Sequence, residues 1–202
     1  MKLFGVEIIP LKFEFNCVHA STNRCSERYI EIPIALTFVQ NVIGSEDFLE
    51  LGCTCPYYFK TFPNHKVYDL TDNHPDNVKK DIRALSDSDY RTNIVSISTL
   101  EHINQGQYGI SVMEDSFSAA SVLKKITDNA LKYLITVPIG QNKNLDDFLF
   151  SENCTFEKKF IGRKPLKTDD WDIIPQSEVI GEYRQNRTYQ DANCICVVSN
   201  SF

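Results

Sequence analysis

The feature that most constrains this chain is a series of short apolar runs, each ending in or beside a small or acidic residue and followed by a polar connection. The runs are residues 47–52 (DFLELG), 65–70 (HKVYDL), 78–82 (VKKDI), 93–98 (NIVSIS) and 133–139 (YLITVPI). Strands apolar on both sides are buried on both faces, and crossovers between them make a parallel sheet. Between the last two runs, Ala119, Leu123, Ile126 and Ala130 mark one face of a crossover helix, with Glu114, Asp115 and Ser116 as an acidic, capped start. Ahead of the first run, Ile34, Phe38, Val39 and Val42 fall at helical spacing, with Pro33 suited to the first turn of that helix and Gly44 to its end. Residues 6–15 hold a peripheral strand, in which Leu11 to Phe15 alternate apolar and charged. Residues 154–162 (CTFEKKFIG) and 192–200 (ANCICVVSN) read as two closing strands joined by a long polar insert.

The 202 residues suit one core, and no Gly/Ser linker or repeat divides them. A single α/β domain over residues 1–202 is expected, with 1–46 as strand, loop and helix cap and 47–202 as the core. Twenty-one Lys and Arg against 27 Asp and Glu give a net charge of −6, which repels a phosphate backbone, so no nucleic-acid partner is expected. Glu7 and Pro10 interrupt the apolar run that a secretory signal needs, and no stretch reaches the ~18 apolar residues of a membrane span. Seven cysteines, with no export signal, imply reduced thiols and a cytoplasmic chain. Their two C-x-C pairs do not match the spacing of zinc ligands, and no metal site is expected.

In an open parallel sheet, ligands bind outside the carboxyl ends of the strands. Here the strand ends carry FLELG (48–52), VYDL (67–70), KKDI (79–82), VSISTLEHI (95–103) and YLITVPIG (133–140). In these segments the chain resembles the class I S-adenosylmethionine-dependent methyltransferases, and within them the methyltransferases of bacterial surface-polysaccharide gene clusters. The resemblance implies a Rossmann-like three-layer sandwich whose mainly parallel sheet closes with an antiparallel C-terminal strand pair. It implies S-adenosylmethionine as cofactor, bound by Glu50, Leu51, Gly52, Asp69, Leu70, Asp81, Ile82, Ser98 and Thr99. It also implies methyl transfer to a small-molecule or sugar-type acceptor held by Arg28, Glu31 and Tyr57, with His102 as catalytic base.

Residue chemistry is consistent with those roles. A glycine directly after a buried strand lets the backbone turn sharply toward a ligand, which describes Gly52. A carboxylate at the tip of a strand can take an ammonium, as at Glu50, or two ribose hydroxyls, as at Asp69. A histidine's ordinary pKa suits a general base. Plainer roles stand beside these: turn chemistry for Asp81, packing for Cys53, Cys55, Tyr57, Tyr58 and Phe59, and a loop hydrogen bond for His102. Arg163, Lys164, Arg184 and Arg187 fit either an anionic acceptor or a solvated surface. The family pattern continues as Gly-x-Gly, whereas this chain reads Gly52-Cys53-Thr54-Cys55-Pro56. A non-catalytic member that binds a nucleoside or a partner is therefore the alternative. A nicotinamide enzyme is disfavoured, since no G-x-G-x-x-G follows any strand.

Overall fold

Strand runs as apolar as residues 94–97 and 133–139 can be satisfied only if both faces of the sheet are covered, and that is how the chain folds. The computed structural model describes residues 1–8, 27–59, 62, 64–106, 118–163, 170–179 and 192–202. In order, a small hairpin of β1 (Lys2–Leu3) and β2 (Val6–Glu7) precedes helix α1 (Arg28–Phe38), then β3 (Phe48–Leu51), β4 (His65–Tyr68), β5 (Asn77–Val78) and β6 (Asn93–Ile97). Helix α2 (Ala119–Asn129), β7 (Tyr133–Pro138), α3 (Lys143–Phe150), β8 (Lys158–Arg163), β9 (Trp171–Ile174) and β10 (Cys194–Ser199) follow.

Eight strands form one sheet in the order β5-β4-β3-β6-β7-β10-β8-β9. The first five are parallel, with Phe48 opposite both His65 and Asn93. β10 runs antiparallel between β7 and β8, and β9 is antiparallel to β8. The closing pair expected from the sequence is β8 and β10. Every residue of β3, β6, β7 and β10 is buried. On one face Phe48, Val95, Ile97, Leu134, Ile195 and Val197 pack against Ile30, Ile34, Phe38 and Val39 of the α1 region. On the other, Leu49, Leu51, Ile94, Ile135, Val137 and Cys196 pack against Val122, Leu123 and Ile126 of α2 and Leu145 and Leu149 of α3. The result is a three-layer α/β sandwich of the Rossmann-like kind. Among the described residues, no helix is long and apolar enough to cross a membrane.

Some local expectations need correction. Helix α1 begins at Arg28, so Pro33 lies inside it rather than in its first turn. The buried side chains of Ile30, Glu31 and Ile32 anchor that earlier turn, although Pro33 removes the N–H that would bond the Tyr29 carbonyl. The helix ends as expected, with a widened turn at Val39–Ile43 and Gly44 at φ +63. Of the run at residues 78–82 only Val78 is strand, because Asp81 accepts from the Arg83 N–H at 2.9 Å and starts a single turn at Ile82–Ala84. Helix α2 is capped by Ser118, which accepts from the Ser121 N–H; residues 114–116 lie outside the described residues, as does the alternating stretch 11–15. The polar insert contributes β9, and α3 was not foreseen, although Asn142 caps it and Leu145 and Leu149 are spaced one turn apart.

The start of α1 is tied to the segment that leads into the last strand. Glu27 Oε2 accepts from the Ala192 N–H at 3.1 Å. Burial, then the neighbouring Glu31, pushes the Glu27 carboxyl up from its ordinary 4.5 to about 7. The folded chain therefore binds this proton more tightly than the unfolded chain, so its contribution to stability is full below pH 4.5 and is lost as pH rises toward 7. Urea unfolding followed across that window should show stability falling with pH, and Glu27→Gln should flatten the slope by up to about 3 kcal/mol over the whole range. An unchanged slope in the variant would show that Glu27 ionises as freely in the fold as in the unfolded chain.

Candidate functional site

From β3 the chain moves outward in one direction to β4 and β5, and from β6 in the other direction to β7. Between β3 and β6 the strand order reverses, and loops leaving adjacent carboxyl ends part to leave a crevice. A cleft of about 900 Å³, counted to its open mouth, lies there. Its lining comes from the loop after β3 (Gly52, Cys53, Thr54), the end of β4 and its loop (Tyr68 to Asp72), the turn at Asp81 to Arg83, the segment after β6 (Ser98, Thr99, His102, Ile103, Asn104), and Arg28 of α1.

The loop after β3 is shaped by two residues. Gly52 sits at φ +87, and a Cβ there would overlap the Thr99 side chain, with Cβ and Cγ2 of Thr99 within 2.8 Å. Only glycine meets both conditions. Glu50, fully buried, then holds the loop from below. Its Oε1 accepts from the N–H groups of Thr54 (2.8 Å) and Cys55 (2.7 Å), and its Oε2 lies 2.8 Å from Nε2 of His65 on β4. The His65 ring in turn stacks on Phe48 at 4.3 Å. Beyond this, the described residues before β4 make only a single turn, Cys55–Tyr57.

Across the cleft, Asp69 Oδ1 accepts from Thr71 N–H (2.7 Å), Thr71 Oγ1 (3.0 Å) and Asp72 N–H (2.9 Å), which leaves Oδ2 without a hydrogen bond among the described residues. Asp81 grips the Arg83 guanidinium with both oxygens, at 3.0 and 2.8 Å. The hydrogen bonds from Arg83 hold the Asp81 carboxyl below the usual range. The third wall starts at Ser98, at φ +42, whose Oγ donates to Glu31 Oε1 at 2.6 Å; Thr136 Oγ1 donates to the same oxygen at 2.6 Å. Arg28 Nη1 donates to the other Glu31 oxygen. Burial works against the charge on Arg28, but Glu31, Glu27 and Glu101 outweigh it and keep the guanidinium protonated.

The structure thus brings Gly52, Asp69, Leu70, Asp81, Ile82, Ser98, Thr99, His102 and Arg28 to one cleft. Four expected contacts fall outside its lining. Glu50 faces the loop backbone and His65, so an ammonium has no direct access to it; Leu51 packs in the core. Glu31 lies in the first turn of α1 and is fully buried. Tyr57 donates to Asp72 Oδ1 at 2.9 Å. Sequence reasoning missed Asp72 and Arg83. The Asp-Leu-Thr-Asp spacing of a side-chain-capped turn was the available signal for Asp72, while nothing local distinguishes Arg83. Burial pushes the Cys53, Cys55, Cys194 and Cys196 thiols up, which makes them packing groups rather than nucleophiles. Cys17, Cys25, Lys164, Arg184 and Arg187 lie outside the described residues.

No protein-family model matches this sequence, and no curated protein matches it. A crystal structure of Thermoplasma acidophilum 1320 is similar, at 12% identity over 88% of this chain and 94% of that one, with a TM-score of 0.41. That likeness bears on neither ligand nor activity.

Gly52→Ala should destabilise the protein by about 1–3 kcal/mol through the positive φ alone, with more from the Thr99 overlap. Adding Thr99→Ala should recover part of the loss, so chemical denaturation of the double variant should give less than the sum of the singles. Strict additivity would mean that the two side chains do not meet.

Proposed function

We propose that the cleft binds S-adenosylmethionine and that the protein transfers its methyl group to a small-molecule or sugar-type acceptor. The observation that carries this reading is the charge of the lining: Asp69 and Asp72 line it, and its two guanidiniums, Arg28 and Arg83, are each clasped by a carboxylate, Glu31 and Asp81. A pyrophosphate needs donors, and a dinucleotide fold supplies them from a helix N-terminus after the first strand. The described residues after β3 offer only a single turn. An acid-rich cleft of this kind favours a nucleoside carrying a cationic sulfonium and no phosphate. Asp69 supports the same reading, with an open Oδ2 at the tip of β4 for a vicinal diol.

Methyl transfer from a sulfonium is displacement at an activated carbon, so the protein's work is mainly alignment. His102, one-third exposed and lining the cleft, stands where it can take a proton from a hydroxyl acceptor. A second reading, a nucleoside binder without turnover, draws on Cys53 and Thr54, whose side chains occupy the loop where the family pattern has its second glycine.

Calorimetry and thermal unfolding test the binding step. S-adenosylmethionine at 100 times its dissociation constant should stabilise the protein by about 2.7 kcal/mol, and NAD should not. Asp69→Ala should weaken binding tenfold or more, the loss of a charged hydrogen-bonding group. Stabilisation by NAD alone would overturn the proposal. Binding without transfer of labelled methyl to any hydroxyl acceptor would favour the second reading.

A further inference from the structure

Beside His102 lies a carboxyl group that the reading above leaves unused. Glu101 belongs to the same single turn, Leu100–His102, and is 2% exposed. Its Oε2 has no hydrogen-bond partner among the described residues, and its Oε1 lies 3.5 Å from His102 Nε2. The turn itself is pinned: the His102 N–H donates to the Thr99 carbonyl at 3.1 Å. Asn142 Nδ2 donates to the carbonyls of Glu101 (3.1 Å) and Ile103 (3.3 Å). Glu101 and His102 are therefore held together at the inner wall of the cleft.

A buried carboxylate with an oxygen unmatched is unfavourable unless a cation shares its charge. Burial pushes the Glu101 carboxyl well above the usual range; a hydrogen bond from its own backbone and the charge of Arg28 oppose that push, and Glu31 and Glu27 of the α1 region add to it. Arg28 is itself clasped by Glu31. On the cleft side, the charged groups lining the space with His102 are Arg28, Arg83, Asp69, Asp72 and Asp81. His102 is the group within ion-pair distance that can complete the charge of Glu101 by taking up a proton.

We propose that Glu101 and His102 act as a pair, the Glu101 carboxylate being the positioning residue that orients the neutral His102 ring and stabilises the imidazolium formed when that ring takes a proton. This deepens the methyl-transfer reading and rests on it for the chemistry. It also names the acceptor class, a neutral hydroxyl, which must lose a proton as it is methylated. In the step, the acceptor O–H proton passes to the imidazole while the oxygen bonds the methyl carbon. The carbon–sulfur bond breaks with its electron pair staying on sulfur, leaving a neutral thioether. One positive charge is lost at sulfur and one appears on the imidazole, next to the Glu101 carboxyl.

The test is a nuclear magnetic resonance titration of the protein alone, labelled with carbon-13 at histidine, the His102 signal being assigned by its loss in His102→Gln. His102 should titrate about one unit or more higher in the unaltered protein than in Glu101→Gln, with Glu101→Asp between them. An identical midpoint in Glu101→Gln would overturn the pairing. Should that variant not fold, the unaltered protein decides: two groups coupled by more than about one unit give a two-step His102 curve, and a single step would overturn the proposal. No methyl donor is present, so this result is separate from the ligand test, and either reading can fail without the other.

Discussion

The cleft depends on one buried carboxylate. Glu50 sits at the end of the central strand and binds two backbone N–H groups of the following loop and the ring of His65 on the neighbouring strand. A carboxylate taken fully out of water is tolerated only when its oxygens are matched in this way. Here three partners on two elements meet that requirement, and in doing so they fix the loop that Gly52 opens. With no second glycine to let the loop follow a ligand, the Glu50 clasp gives it one shape. Removing the carboxylate would leave two loop N–H groups and a buried imidazole without their partner.

A second buried carboxylate does the same on the far wall. Glu31 gathers Ser98, Thr136 and Arg28, joining the first turn of α1 to the ends of β6 and β7. The two walls are thus rigid for the same physical reason, and the groups left facing the cleft are mostly acidic. Arg28 and Arg83 lie at the lining but are each held by a carboxylate, so they shape the surface without offering it net positive charge. This balance is what favours a cationic nucleoside over a phosphorylated one in the functional proposal.

Much of this frame was legible in the sequence. Doubly buried strands carry their own signal, and the runs at 47–52, 93–98 and 133–139 fall on β3, β6 and β7; the more polar run at 65–70 falls on β4, where only Val67 is buried. Strand order then brought Gly52, Asp69, Ser98, Thr99 and His102 to one end of the sheet. The partners of the buried carboxylates were not legible, because they are long-range: Glu31 meets Ser98 and Thr136 at separations of 67 and 105 residues. Glu50 looked like a ligand contact for the same reason, since its environment is set by His65 and the loop backbone rather than by its neighbours in sequence. Pro33 misdirected the start of α1, where burial of Ile30 and Ile32 outweighed the proline preference for a first turn. The 3.5 Å approach of Glu101 to His102 is a matter of turn geometry that no residue pattern specifies.

The central claim is that this acid-lined crevice is a site for a sulfonium nucleoside. A crystal structure of the protein with S-adenosylhomocysteine tests it most directly. The account predicts the ribose hydroxyls on Asp69 Oδ2, the homocysteine portion along the Gly52–Thr54 loop, and the sulfur on the side of His102. A nucleoside bound elsewhere on the sheet, or a crevice left empty at saturating ligand, would contradict it.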